Sequence, residues 1–530
     1  MPGQKFYVTT AIDYVNDRPG LHHGYEKAGA DALARFHRQR GHAVFFLTGT
    51  DENATRNEVA ANAEGITTRA LVDRHAAEFR QMADAWQISY DRFIRTTDPD
   101  HVKGVQEFVR RWIKNDDVYL ATYEGLYCLG CEAFKDEDEL VDGHCPIHPT
   151  HPEYIERLKE ENYFFRLSKY EQRLKDLYRA HPDFCVPEAR RNEVLGWLER
   201  GLKDISVSRR NLTWGIPFPD HPDHVVYVWF DALINYVTGV GFGTDEKTFA
   251  KWWPCDVHVV GKDITRFHCI YWPAMLMAAG VALPRQVFAH GFLAMGEGRL
   301  SRSSGNMIDP IAAAKEWGSD AIRYLVLRDA PFEKIEDSPV SPEQFNARFN
   351  ADLANGLGNL VSRSLKMVES YCEGVVPRPG GEGPSEIALH AIADRVMRAH
   401  DDAAAQLHFA DALGAIFSLV DAANKHYQET QPWKLAKDPA NAQAVAASLY
   451  AGLEALRVVA HLLWPYMPRT ADAICGQLGL PSPERVSWPE VARWGLLEPG
   501  RKVHAGAALF PRLEPSARPG PATPAPAEPH

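Results

Sequence analysis

Four ligand-type side chains stand at Cys128-x2-Cys131-x13-Cys145-x2-His148, and no other feature restricts the chain's folding as strongly. Three thiolates and an imidazole on two tight turns suit one tetrahedral Zn²⁺. With every position filled by protein there is no open site for water, so such an ion is expected to hold a fold rather than perform chemistry. The other cysteines, Cys185, Cys255, Cys269, Cys372 and Cys475, are scattered and odd in number. That pattern suits reduced thiols in a cytoplasm better than a disulfide framework.

Around this segment the chain alternates like an α/β sheet. Lys5–Thr10 reads as a short buried strand, Gly24–Arg40 as a helix with Ala28, Ala32, Leu33 and Phe36 on its apolar side, and Ala43–Thr48 as the next strand. This is a βαβ unit with a right-handed parallel crossover. After the cysteine-bearing stretch, apolar runs at Val225–Phe230, Val257–Val260 and Val287–His290 read as further strands, alternating with helical sequence such as Ile264–Ala279. The expected fold is one split Rossmann-type parallel sheet with a zinc-bearing insertion, followed by an all-α bundle. Its parts are 1–115 and 224–345 for the sheet, 116–223 for the insertion, 346–512 for the bundle and 513–530 for a disordered Pro/Ala-rich tail.

At 530 residues, about three domains are expected. The N-terminus lacks a basic region followed by an apolar core, and no run of about 18 uninterrupted apolar residues occurs, so neither a signal peptide nor a membrane span is expected. A net charge of −12 argues against a nonspecific nucleic-acid coat but leaves room for a local RNA-reading surface.

In a split parallel sheet, ligands sit where strands end and helices begin. Two segments fall at such places. Arg18-Pro19-Gly20-Leu21-His22-His23-Gly24-Tyr25 precedes the first helix, whose free N–H groups favour phosphate, though a His/Gly pair there also serves as a plain cap. Gly298-Arg299-Leu300-Ser301-Arg302-Ser303-Ser304-Gly305-Asn306 is a basic loop, suited either to clamping phosphates or to simple solvation.

Taken in order, strand-GLHH-helix, the cysteine segment, VYVWFDALINY, VVGKDI, HGFL, RLSRSSGN and a bundle containing QPWKLAK resemble the methionyl-tRNA synthetases, from about Phe6 to Pro511. The resemblance implies a methionine–tRNA ligase that forms methionyl-adenylate from L-methionine and ATP with Mg²⁺, then passes the methionyl group to tRNA(Met). It implies ATP contacts at Gly20, His23, Gly24, Lys262, Asp263, Arg299, Leu300, Ser301, Arg302 and Ser303, with His22, His23, Arg299, Ser301 and Arg302 as the catalytic set. It also places methionine against Ile12, Tyr14, Asp51, Arg209, Trp229, Ala232, Leu233, Tyr236, Ile264 and His290, and the anticodon against Asn359, Arg363, Pro432 and Trp433. The chain ends soon after the bundle, without the extra C-terminal oligomerisation module that some relatives carry, so a monomer is expected, cytoplasmic as the scattered thiols suggest and with one structural Zn²⁺ per chain.

The chain departs from the family pattern at the nucleotide end. The family's leading imidazole is Gly20 here and its glycine is His22. Asn53-Ala54 stands where many relatives have His-Gly, and Asp13 adds a carboxylate between Ile12 and Tyr14. Losing a donor aimed at developing phosphate charge commonly costs about 2.7–4 kcal/mol. His22 is expected to crowd the adenine or turn away, and Asp13 to repel ATP unless it points elsewhere or pairs with Arg18. Two alternatives therefore stand beside the ligase. One is a synthetase paralogue without adenylation that binds tRNA or methionine, and the other is an adenylate-forming ligase with a small-molecule acceptor.

Overall fold

The computed structural model describes residues 4–128, 133–135, 137–146, 151–210, 212–295, 298–299 and 308–514. Its centre is a seven-stranded sheet formed by β1 (Lys5–Thr10), β2 (Asp13–Tyr14), β3 (Ala43–Asp51), β4 (Arg92–Arg95), β5 (Cys185–Val186), β6 (Val257–Gly261) and β7 (Gln286–His290). Strands β3, β1, β6, β7 and β5 lie side by side in that order, and β3 also pairs with β2 and β4. Every pairing is parallel. A parallel sheet covered on both faces requires near-continuous apolar strands, and the interiors of β1, β6 and β7 are buried throughout. The edge strand β5 comes from the segment between residues 116 and 223, so that segment also completes the sheet.

The first crossover is α1 (Leu21–Gln39), with Leu21, Tyr25, Ala28, Ala32, Leu33 and Phe36 buried against the sheet. It begins earlier than the Gly24 suggested by apolar spacing, because the histidine pair belongs to its first turn. Opposite β3, Thr9 pairs with Leu47 and Asp13 with Thr50, so four residues on one side span what three span on the other. Ala11 and Ile12 take up the slack as an irregularity between β1 and β2.

The run Val225–Phe230 is not a strand of this sheet. His221–Val226 is antiparallel in a separate three-stranded sheet, and α2 (Val228–Thr238) starts two residues later. Ten of that helix's eleven residues are buried, and an apolar run buried on all sides has no period to separate strand from helix. Ile264–Ala279 is helical, as expected, but has a π turn at Phe267–Tyr271 before Trp272–Ala279. Pro273 explains the turn, since it lacks the N–H that a regular α ladder would use.

The cysteine-bearing segment is built on a long antiparallel pair, Val118–Cys128 with Ile155–Phe165. Cys128 ends the first strand, and Cys145 is buried nearby in sequence. Cys131 and His148 lie outside the described residues.

Beyond α3 (Ser319–Asp329) the chain is helical: a π segment, Phe349–Gly358, leads into α4 (Asn359–Cys372), α5 (Pro384–Ala405) and α6 (Phe409–Thr430). The bundle's central helix, α7 (Ala442–Leu463), is apolar enough in composition to cross a membrane, yet that window is 89% buried within the protein. Its composition is that of a bundle core. Residues 515–530, the expected disordered tail apart from its first two positions, lie outside the described residues.

The sheet and the bundle are joined through α1. Burial alone would raise the Asp31 carboxyl, but Arg35, Arg323 and hydrogen bonds from Ser89 bring its pKa down to about 2. Arg323, fully buried, lies 2.7 Å from Asp31 and donates to the carbonyls of Trp86, Pro465 and Tyr466 at 3.0, 3.0 and 2.7 Å. Gln39, near the end of α1, donates to the His461 carbonyl at 2.8 Å.

Candidate active site

A cavity of about 510 Å³ opens at the carboxyl ends of β1, β3, β6 and β7. It lies where the crossover from β1 to β3 leaves in one direction and that from β6 to β7 in the other, the usual ligand crevice of such sheets. Ile12, Tyr14, His22, His23, Asp51, Trp229, Ala232, Leu233, Tyr236, Asp263, Ile264 and His290 line it together. These residues come from distant points in the chain, and the sheet brings them to one place.

One wall is apolar and aromatic. Trp229 stacks on Phe267 at 3.7 Å between centroids and meets Tyr14 edge-on at 6.0 Å. Behind it Tyr236, His268 and His258 are satisfied inside the protein. The Tyr236 hydroxyl donates to His268 Nε2 at 2.7 Å, and His268 Nδ1 donates to the Ile264 carbonyl at 3.0 Å. Both ring nitrogens are therefore committed to one neutral tautomer, and burial brings the His268 pKa down to about 4. Trp272 Nε1 donates to His258 Nε2 at 3.2 Å, leaving Nδ1 to donate to Thr9 Oγ1 at 2.7 Å, and burial likewise holds His258 neutral. Asp51, at the end of β3, presents a buried carboxylate beside this wall.

The opposite end is the first turn of α1. Gly20 is its N-cap, and its N–H donates to His23 Nδ1 at 2.9 Å. With Nδ1 accepting, the neutral ring carries its proton on Nε2. His22 projects into the cavity rather than away from it and packs on His23 at 3.8 Å. The surrounding protein desolvates both rings and lowers both pKa values well below the ordinary value, with each further lowered by neighbouring positive charge. Asp13 does not pair with Arg18, which lies 3.4 Å from Glu78 instead. Its Oδ2 contacts the buried ammonium of Lys27, and its Oδ1 is 3.9 Å from His23 Nε2. Gly24 is packed by the Trp86 indole, where an added Cβ would come within 2.9 Å, so it serves helix packing.

Some expected contacts lie outside the cavity lining. Lys262 reaches Asp337 at 2.5 Å and the Ile335 carbonyl at 3.1 Å. Arg209 is buried, donates to Ser206 Oγ and the Ser208 carbonyl at 2.8 Å, and faces the Tyr227 ring at 4.1 Å. Asn53 donates to Asp231 at 2.8 Å, within a buried network that includes His101. Of the basic loop, the structure describes the backbone strand Gly298–Arg299, paired with Leu293–Met295; Leu300, Ser301, Arg302 and Ser303 lie outside the described residues.

Several lining residues escaped sequence reasoning. Glu26 approaches His290 Nε2 at 3.0 Å, Phe267 floors the Trp229 wall, and Lys135 reaches the cavity from the cysteine-bearing segment. Only Glu26 left a signal, as an acidic residue one turn into a helix opened by histidines.

A second concavity, about 340 Å³, lies on the bundle along α4 and includes Asn359, Arg363 and Lys366. The Arg363 guanidinium lies 4.4 Å from the Trp433 ring, and Trp433 follows the buried Pro432 in the short helix Pro432–Leu435. Asn359 donates to Asn424 at 3.3 Å.

The fold and the cavity together define a nucleotide-type parallel-sheet protein carrying a helical module. The family described as class I tRNA synthetases (M) matches residues 6–157 and 150–365, and the anticodon binding domain of methionyl tRNA ligase matches residues 376–520. A methionine–tRNA ligase of Caldanaerobacter subterraneus subsp. tengcongensis is 43% identical over 510 residues, covering 96% of this chain and 79% of its own length. That of Mycobacterium bovis is 44% identical over 519 residues, covering 96% and 98%. The structure of Mycobacterium tuberculosis methionyl-tRNA synthetase in complex with methionyl-adenylate is 43% identical, covers 96% of this chain and 100% of its own, and superposes with a TM-score of 0.91. The apo form of that enzyme, 40% identical over 97% of this chain and 99% of its own, gives 0.85. The chain belongs to the methionyl-tRNA synthetase family.

Proposed function

We infer that this protein activates L-methionine with ATP and transfers the methionyl group to tRNA(Met). The observation that carries this reading is the cavity itself. An aromatic wall, a buried carboxylate and a helix N-terminus with a neutral imidazole meet at the sheet's ligand crevice in a chain matched to the family over both its parts.

The residues divide the work by chemistry. Trp229, Phe267, Tyr14 and Ile12 take the unbranched side chain, with sulfur–aromatic contacts worth about 0.3–1.5 kcal/mol. Asp51 receives the α-ammonium. The substrate carboxylate oxygen attacks the α-phosphorus of ATP and pyrophosphate leaves. His23 Nε2–H, the N–H groups of the first turn of α1, and Arg299, Ser301 and Arg302 take up the phosphate charge, with Mg²⁺ entering bound to ATP. The 3′-terminal ribose hydroxyl of tRNA then attacks the methionyl carbonyl, and AMP leaves. Trp433, beside Arg363, offers a stacking face for an unpaired anticodon base, and Asn359 offers a base-edge partner.

Cys128, Cys131, Cys145 and His148 would hold a Zn²⁺ that closes the tip of the inserted hairpin; the burial of Cys128 and Cys145 supports this. We assign 1–115 and 224–345 to the catalytic part, 116–223 to the insertion and 346–512 to the anticodon module, in a cytoplasmic monomer. The test is methionine-dependent ATP–pyrophosphate exchange followed by charging of tRNA(Met). Exchange that rises with methionine and charging of that tRNA are expected; their joint absence in a folded, ATP-binding protein would overturn the assignment.

A further inference from the structure

A carboxylate facing a triphosphate site is a liability unless its charge is cancelled, and here the ammonium of Lys27 cancels it. Asp13 lines the cavity and is nearly buried, at 7% exposure. Lys27 is fully buried one helical turn beyond His23 on α1, with its ammonium on Asp13 Oδ2. The remaining oxygen, Oδ1, faces His23 Nε2 at 3.9 Å. That separation is too long for a hydrogen bond. The Gly20 N–H already fixes the His23 tautomer from the other side, so Nε2–H is oriented by the carboxylate without being committed to it. The charged and titratable groups around this cluster are His22, His23, Lys27 and His290, the last paired with the Glu26 carboxylate at 3.0 Å, with Asp51 and Asp263 elsewhere in the cavity lining.

We propose that Asp13 and Lys27 form one net-neutral unit that positions His23 for the phosphates of ATP. Lys27 cancels the charge that would repel the nucleotide, and Asp13 holds Nε2–H aimed into the cavity until a phosphate oxygen accepts it. Both are positioning residues, acting through His23. Removing the lysine leaves an uncompensated buried carboxylate facing an anion, whereas removing both charges leaves a neutral wall.

The inference rests on the ATP-dependent reading above, and a four-member cycle separates the two. ATP–Mg²⁺ and methionine are titrated separately, by calorimetry, into the wild-type chain, Lys27→Met, Asp13→Asn and the double variant. Lys27→Met is expected to weaken ATP about tenfold or more while leaving methionine unchanged, and the double variant to recover most of the loss. If Lys27→Met fails to fold, Asp13→Asn carries the test alone. It should lower kcat for pyrophosphate exchange without raising KM for ATP, because the imidazole loses its orientation while the Lys27 cation left behind does not repel an anion. Equal ATP affinity across the cycle with only lowered melting temperatures would make the pair structural and overturn the proposal. A rise in KM with unchanged kcat in Asp13→Asn would do the same. A wild-type chain that binds methionine but no ATP would instead remove the ligase reading itself.

Discussion

The two ends of the cavity meet the same demand, polar groups in a desolvated space, by different means. At the Trp229 wall each buried polar atom of Tyr236, His268 and His258 has its partner inside the protein, so the surface left for a ligand is apolar and already shaped. At the α1 end the groups are charged or ready to donate, and they are balanced against one another across a strand and a helix. The wall is built to exclude water, and the α1 end to exchange one set of partners for another. Substitution is therefore tolerated differently. By the motif resemblance, the expected departures from the family pattern, Gly20, His22 and Asp13, all fall at the α1 end and none at the wall.

The largest expected effect tests whether those changes matter. Gly20→His/His22→Gly restores a donor and empties the space that His22 fills, and pyrophosphate exchange should rise about 100-fold or more. No gain would mean that the α1 end already works as it stands. Next, Trp229→Ala removes the indole stacked on Phe267, and methionine affinity should fall about 10- to 100-fold, from a loss of about 1.5–3 kcal/mol of buried apolar contact, with ATP affinity unaffected. A comparable loss of ATP affinity would erase the distinction between the two ends. Third, Tyr236→Phe leaves His268 Nε2 without its donor inside the protein. The urea midpoint should drop by the equivalent of about 1–3 kcal/mol, with a smaller change in methionine affinity than Trp229→Ala gives.

The last effect concerns pH and requires no substitution. In the folded chain His258 and His23 are held well below the ordinary 6.5, and His268 at about 4. Below pH 6.5 the unfolded chain takes up protons that these buried rings refuse. Stability should therefore fall as the pH is lowered from about 6.5, by up to about 1.4 kcal/mol per pH unit for each ring, with the His268 contribution levelling off past pH 4. Urea midpoints at pH 7 and pH 5 read this directly, and an unchanged midpoint would mean that the rings are not held neutral.

What was readable in the sequence follows the same division. β1 and β3 are legible as short apolar runs, and α1 through the spacing of Ala28, Ala32, Leu33 and Phe36. Val225–Phe230 misleads because burial on all sides leaves no period, and the turn of chain at Tyr227 has no glycine or proline to mark it. The motif resemblance located twelve cavity residues at once. It could not foresee the partner of Asp13. Lys27 lies fourteen positions on, across a strand-to-helix connection, and nothing in local sequence distinguishes it from a solvated lysine. Arg18, the nearer cation, is the wrong guess for a geometric reason: it stands before the helix and points to Glu78, whereas Lys27 lies beneath the carboxylate.

Arg323 has a consequence for how the molecule can be taken apart. Its guanidinium satisfies Asp31 and three carbonyls, two of them in the bundle, with no solvent to replace any of them. A fragment cut after α3 would keep Asp31 and the Trp86 carbonyl but take the Pro465 and Tyr466 carbonyls from the guanidinium and expose the apolar flank that the bundle covers. The two halves should therefore melt in one cooperative transition, and the catalytic half should be an obligate tenant of the whole rather than a module that can be expressed by itself.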